Sequence, residues 1–213
     1  MLLVHGVGRY TILGTTTDDS VGEALDKATR LLRIPWTDNQ GPAASLEAYA
    51  TKHKDDPGTG FNFPLPLKDE PRPTLNFSFS GLKTALKYHI ESLQTLNEEE
   101  QVMLAYKFQQ KATDHLEKRL RRAIEVAKDS RCLSVVISGG VARNQYIRER
   151  LGKAIIESGL KPVLAPFEYC SDNAVMIGWA AIENILAGNK PLDPNMNAEV
   201  LPEWPLDDLK LEL

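Results

Sequence analysis

Cysteine is nearly missing from this chain: Cys132 and Cys170 are the only two in 213 residues. Two thiols make neither a disulfide framework nor a zinc site by themselves, so a reducing compartment fits better than an oxidising one. Paired histidines are missing too. His5, His53, His89 and His115 form no H-x-x-x-H or H-E-x-x-H pattern, so no helix face presents two imidazoles to a metal. No apolar run approaches the roughly 18 residues that span a bilayer. The opening "MLLVHGVGRYTI" lacks the basic start and the small-residue cleavage site of a secretory leader. No membrane partner is expected. Excess positive charge is lacking as well: the formal net charge is −4, which argues against coating a polyanion by bulk charge and leaves only local contact with nucleic acid.

What is present is enough apolar residue, 42%, for a buried core in one large domain or two small ones. Apolar runs at Leu2 to Val4 and Tyr10 to Leu13 flank Gly6 and Gly8 and predict a β-hairpin. "DDSVGEALDKATRLL" predicts a helix with Val21, Ala24, Leu25, Ala28 and Leu32 on one stripe and a capping box from Ser20 to Glu23. Asp26 falls off that stripe and faces solvent or a ligand. Residues 53–73 hold five of the thirteen prolines and read as a long surface loop. "LNFSFSGLKTALKYHIESL" passes from period two to helical spacing, with Ser80 placed to cap. The helical pattern from Glu98 to Lys128 is long enough to predict a kink or break.

The last third alternates strand and helix: "CLSVVISGG", "VARNQYIRERLGKAIIESG", "LKPVLAP", "SDNAVMIGWAAIENILAG". That rhythm predicts a parallel sheet covered by helices. The remaining tail carries four prolines and reads as an extended arm.

Two strand ends could carry chemistry. Ser138, Gly139 and Gly140 join a β-branched strand to a helix, where backbone amides and the helix N-terminus favour an anion. The plainer reading is a tight turn with Asn144 as the N-cap. "APFEYCSDNAVMIGW" is a second strand end, and Asp172 there is either a helix cap or one ligand of a metal. Lys118, Arg119, Arg121 and Arg122, preceded by Lys107 and Lys111, form either a solvated helix face or an RNA-phosphate contact.

Taken together, "TTTDDSVGEALDKATRLL", "LNFSFSGLKTAL", "VISGGVARNQYIRERL" and "EYCSDNAVMIGWAAIE" resemble the tRNA threonylcarbamoyladenosine transferase family, once described as glycoproteases. The resemblance runs from residue 1 to about 190, and the tail "LPEWPLDDL" is similar to the bacterial and mitochondrial branch. It implies an α/β chain of the actin-like, sugar-kinase-like ATPase fold. Residues 1–190 would be the C-terminal lobe, a mixed sheet flanked by helices with the Pro-rich loop at 53–73, and 191–213 an extended tail.

The implied activity moves a threonylcarbamoyl group from threonylcarbamoyl-AMP onto the adenosine beside the tRNA anticodon, so the implied partners are tRNA and an adenine nucleotide. Asp26 in "ALDK" matches a substrate-binding carboxylate and Asn144 in "GGVARN" a nucleotide-contacting asparagine. Gly139 and Gly140 would hold the phosphate region, and Gly41 in "DNQGP" aligns with a family glycine turn from which this sequence departs. Asp172 matches a metal-ligating aspartate. The metal would be one divalent ion, iron, zinc or magnesium, bound weakly or not at all, because the family's paired histidines and its Ser-Gly-Gly-His-Thr loop are missing from this sequence. This chain is therefore expected to be inactive alone. Alternatives are a truncated, non-catalytic binding or dimerisation module of the same family, with a homodimer as one outcome, and another kinase of the actin-like fold. The expected location is mitochondrial, otherwise cytoplasmic.

Overall fold

A helix start leaves backbone amides without partners, and the first helix solves this locally. In the computed structural model, which describes residues 1–53, 61–67 and 74–188, α1 (Val21–Leu31) begins under Ser20. Ser20 Oγ accepts from Glu23 N, and Glu23 returns the bond to Ser20 N, closing the predicted capping box. Ahead of it, β1 (Leu2–Gly6) and β2 (Arg9–Ile12) form the predicted antiparallel hairpin, with Leu2 opposite Ile12 and an irregularity between Val4 and Gly6.

α3 (Ser80–Ser92) starts differently from expectation: Ser80 lies inside its first turn, and no side chain at the cap position serves its amides. The cap comes from far away in sequence. Asp18 accepts from Phe79 N at 2.8 Å, Ser80 N at 3.3 Å, Ser80 Oγ at 2.7 Å and Ser78 Oγ. Burial pushes the Asp18 carboxyl up, but these donors outweigh it and hold the group below the usual carboxylate range. Beside it Thr17 N donates to Phe77 O and Phe77 N to Thr15 O, so the hairpin exit is stitched to the segment entering α3.

α4 (Glu98–Val126) is one unbroken helix of 29 residues, about 43 Å long, opened by a capping box between Asn97 and Glu100. The predicted kink is not there. Length alone does not break a helix, and no glycine or proline falls between Glu98 and Val126. Leu104, Phe108 and Ala112 on α4 meet Leu25 of α1 and Leu32 at its C-cap, Leu46 of α2 (Pro42–Ala50), Leu82 and Leu86 of α3, and Ile147 of α5 (Gln145–Glu157) in a single core. That core is mainly helical.

The Pro-rich span 53–73 is also less superficial than its prolines imply, although most of it lies outside the described residues, as does the tail 191–213. Phe63 is buried edge-on against Phe108, Phe61 stacks on His89, and Lys107 Nζ donates to Phe61 O at 3.2 Å. Prolines forbid helix but leave the aromatics between them able to enter a core.

The predicted basic face of α4 is dispersed for similar reasons. Arg119 is buried and donates to Thr74 O, and Arg121 bonds Glu117 and Glu157. Arg150 on α5 reaches Asp114 and Glu117 at 2.9 and 2.7 Å and the Tyr146 hydroxyl at 3.0 Å, clamping α5 to α4. Most of these cations are structural, and Lys118 alone is fully exposed among the four clustered ones.

β3 (Ser134–Ile137) and β4 (Lys161–Leu164) pair in parallel through the α5 crossover, as predicted. The chain is thus α/β with two small sheets. One is antiparallel and one parallel, and among the described residues they do not join into one mixed sheet. Beyond the hairpin, Thr15 and Thr17 bond Phe77 in the segment before α3 instead. Ile137 joins the core while Val136, 66% exposed, faces away from it. α6 (Ala174–Leu186) has no buried residue although it is almost wholly apolar.

His115 lies in the core against Phe77 and Phe79, its Nε2 accepting from Ser78 N at 3.3 Å while Nδ1 meets no partner among the described residues. Burial, reinforced by Arg119 and Lys118, pulls its pKa down to about 4. The unfolded chain therefore binds the proton first as pH falls. This contribution to stability is complete above about pH 6.5 and is lost as pH falls toward 4, amounting to about 3 kcal/mol. Urea midpoints measured across that window should fall more steeply for the wild type than for His115→Gln, and equal slopes would refute the assignment.

Candidate functional site

The two parallel strands carry their C-terminal ends to one edge of the sheet, where ligands of open α/β folds are bound. β3 runs into Ser138, Gly139 and Gly140, then a 3₁₀ turn at Gly140–Arg143, then Asn144 at the N-cap of α5. Gly139 has φ of 95°, a left-handed conformation that side chains resist, and a Cβ added there would meet nothing within 4 Å. Backbone geometry, not crowding, demands glycine at this point. Both glycines are exposed.

The α5 N-terminus behind them is already occupied. Asn144 Oδ1 accepts from Ile147 N at 2.9 Å, and Glu47 of α2 accepts from Gln145 N and Tyr146 N at 2.7 and 3.4 Å. Burial raises the Glu47 pKa against the lowering effect of those two amides. Asn144 Nδ2 donates to Gln109 Oε1 at 2.8 Å, and the residue is buried. The plainer reading of Asn144 as an N-cap thus holds. The expected anion site at this helix start is filled by a protein carboxylate, which leaves the glycine turn as the exposed part of the strand end.

Asp26 was expected to face solvent or a ligand. Its Oδ1 instead accepts from Ala43 N at 2.9 Å, in the first turn of α2, whose own N-cap is Gly41 with no side chain to offer. Thr29 Oγ1 bonds Pro42 O beside it. Asp26 and Gly41 are therefore brought together, with Gly41 at φ of 70°. α1 also approaches the glycine turn: a Cβ on Gly22 would come within 3.3 Å of Val141 Cγ2, and Asp26 lies one helical turn further along that face.

Asp172 stands at the other strand end, beyond β4 and a 3₁₀ turn at Phe167–Tyr169. It does not cap α6. Asn173 does, accepting from Met176 N at 3.0 Å. Asp172 is exposed and bonds no group among the described residues. The two strand ends are linked by Arg148, whose Nη1 donates to Ala142 O at 2.7 Å and Ala165 O at 2.9 Å.

The donor chemistry here does not fit a metal: Asp172 is a lone carboxylate, and no group of three His, Cys, Asp or Glu side chains among the described residues could hold an ion. A hollow of about 770 Å³ opens between α5 and β4, lined by Arg148, Gly152, Ile156, Leu164 and Phe167, and it contains none of the predicted site residues. Sequence reasoning missed Glu47, Gln109 and Arg148. Gln109 left a trace as a polar residue beside the apolar stripe of α4. Glu47 meets its amides across 98 positions, and nothing local marks it.

A model of the family described as tRNA N6-adenosine threonylcarbamoyltransferase matches residues 1–179. Curated relatives carrying that name include those of Anaplasma marginale (strain St. Maries), 39% identical over 209 residues, and Paramagnetospirillum magneticum (strain ATCC 700264 / AMB-1), 38% identical over 210. The alignments cover 96% and 97% of this chain and 57% of each relative. A relative from Brucella suis (strain ATCC 23445 / NCTC 10510) is 38% identical over 212 residues, 98% of this chain and 56% of its own. The chain spans little more than half the length of these relatives.

Removing the remote cap should register in stability. Asp26→Ala is expected to cost about 1 kcal/mol in urea unfolding, and Asp26→Asn, which keeps an acceptor, clearly less. Unchanged midpoints for both would show that the Asp26 bond to α2 contributes nothing.

Proposed function

We propose, from the premise that the chain belongs to the tRNA N6-adenosine threonylcarbamoyltransferase family, that it is the nucleotide-holding C-terminal lobe of such an enzyme in the actin-like ATPase fold. The reaction is transfer of threonylcarbamoyl from its adenylate to the adenosine beside the tRNA anticodon. The supporting observations are that Gly22 of α1 lies against Val141 of the turn after Gly139–Gly140, and that Asp26, one helical turn further on, bonds Ala43 N beside Gly41.

In this reading the glycine turn offers backbone donors to the phosphate region. Asp26 keeps one oxygen on α2, which fixes the carboxylate so that the other accepts from a sugar hydroxyl. Asn144 acts through its cap, holding the turn in place. No covalent nucleophile is required. The adenosine amine attacks the carbamoyl carbon and the acyl-phosphate bond breaks, with AMP leaving. Asp172 is suited to be one ligand of a divalent ion, but the donors among the described residues do not complete a site, so no metal-dependent step is assigned to it. The chain is accordingly inactive alone; the likeness of its tail sequence "LPEWPLDDL" to the bacterial and mitochondrial branch supports a mitochondrial setting, otherwise a cytoplasmic one.

One observation favours the second reading, a non-catalytic docking or dimerisation module: Trp179, Ile177 and Leu186 of α6 are each more than half exposed, as is Val136 on the sheet. Sedimentation of the pure chain separates a homodimer from a monomer.

Titration with threonylcarbamoyl-AMP is expected to show saturable binding, weakened about tenfold by Gly139→Val, which strains the left-handed turn. An unmodified tRNA transcript should gain no threonylcarbamoyl group from the pure chain. Failure to bind the adenylate would end the nucleotide reading, and robust turnover would overturn the claim of inactivity alone.

A further inference from the structure

We propose that Arg148 is a positioning residue that sets the place of the Asp172 carboxylate relative to the Gly139–Gly140 turn. The inference rests on the reading that these two strand ends frame one ligand site, and it assigns how they are held in register.

The geometry is specific. Arg148 sits in the second turn of α5 and points to the strand ends, where a single nitrogen, Nη1, gives one bond to Ala142 O at 2.7 Å and another to Ala165 O at 2.9 Å. Ala142 lies within the 3₁₀ turn Gly140–Arg143, and Ala165 is the first residue beyond β4. The ladder ends at the same level, with Ala165 N donating to Ile137 O at 3.1 Å. Beyond that bond no sheet pairing reaches residues 166–172, and the guanidinium takes over.

Its Cζ lies over the Phe167 ring, 4.5 Å from the centroid, and Nη1 comes within 3.8 Å of Cys170 Sγ. Cys170 is buried and bonds Ala165 O, so residues 165–170 form a closed turn around the arginine. Asp172 follows two residues later and has no bond of its own among the described residues. Its position is inherited from that turn.

Arginine suits this task better than lysine. A planar, delocalised cation donates within its plane while an aromatic ring covers its face, whereas an ammonium is a point charge that hydrates strongly. Two main-chain carbonyls that would otherwise compete for water are held at one nitrogen, with charge-assisted bonds. Loss of the guanidinium removes the one side-chain link between the turns among the described residues.

The test compares Arg148→Met and Arg148→Lys with the unaltered residue in a Cys132→Ser background, so that Cys170 is the only thiol. Arg148→Met should speed alkylation of Cys170 by iodoacetamide about tenfold and speed amide exchange across 165–172, leaving exchange in α4 unchanged. It should also weaken threonylcarbamoyl-AMP binding about tenfold, and Arg148→Lys should recover part of each effect. Unchanged labelling and exchange in Arg148→Met would overturn the proposal. So would a loosened turn with unaltered adenylate affinity, because the arginine would then be structural only. If the unaltered chain binds no adenylate, the site reading fails on its own, and the labelling and exchange results alone decide whether Arg148 sets the turn.

Discussion

Three helices of this chain begin under a carboxylate supplied from another part of the molecule, and the arrangement of the whole depends on that. Asp18 serves the first amides of α3, Asp26 of α1 serves α2, and Glu47 of α2 serves α5. Each helix start concentrates unpaired donors and partial positive charge, so a carboxylate placed there satisfies both at once. The bonds form a relay. α1 fixes α2 through Asp26, α2 fixes α5 through Glu47, and α5 carries Arg148 to the two strand ends. A shift of α1 or α2 would break a cap on the next helix of the relay, which couples the helical core to the glycine turn without a continuous sheet between them.

That relay decides what the strand ends can offer a ligand. The field at the start of α5 is spent on Glu47 and on the Asn144 cap, so an anion approaching there finds a carboxylate in its way. The glycine turn lies outside that obstruction, with Gly139 in a conformation that leaves its surroundings open. Specificity for a nucleotide would then come from backbone donors and one fixed carboxylate at Asp26. A solvent-exposed helix dipole is not part of it.

What was legible in the sequence was local. The Ser20 to Glu23 capping box, the hairpin around Gly6 and Gly8, and the two parallel strands with their intervening helix each have signals within a few residues, and the structure has them. The remote caps were not legible: Ser80 looked like the cap of α3, yet the bonds come from Asp18 across more than sixty residues. Asp26 lay off the apolar stripe as the spacing required, but spacing cannot tell solvent from a second helix. The phenylalanines of the Pro-rich span failed for the complementary reason. Proline reports backbone conformation, while burial of Phe63 depends on Phe108 being within reach.

Asp172 acquires its meaning from this contrast. Asp18, Asp19, Asp26 and Glu47 each hold an amide, a hydroxyl or an ammonium group, and Asp114 and Glu117 hold Arg150. Asp172, like the exposed Asp38, Asp129 and Glu168, bonds no group among the described residues, but it stands beyond a strand end whose backbone is held by Arg148. A carboxylate kept exposed loses no hydration until something displaces the water, so it can be placed for a ligand at little cost to the fold. A divalent cation needs about three protein donors, and one oxygen pair does not supply them. Metal chemistry at Asp172 would have to draw its remaining donors from outside the described residues. The uncovered apolar surfaces of α6 and β3 lie on the same part of the chain, the stretch from residue 133 onward.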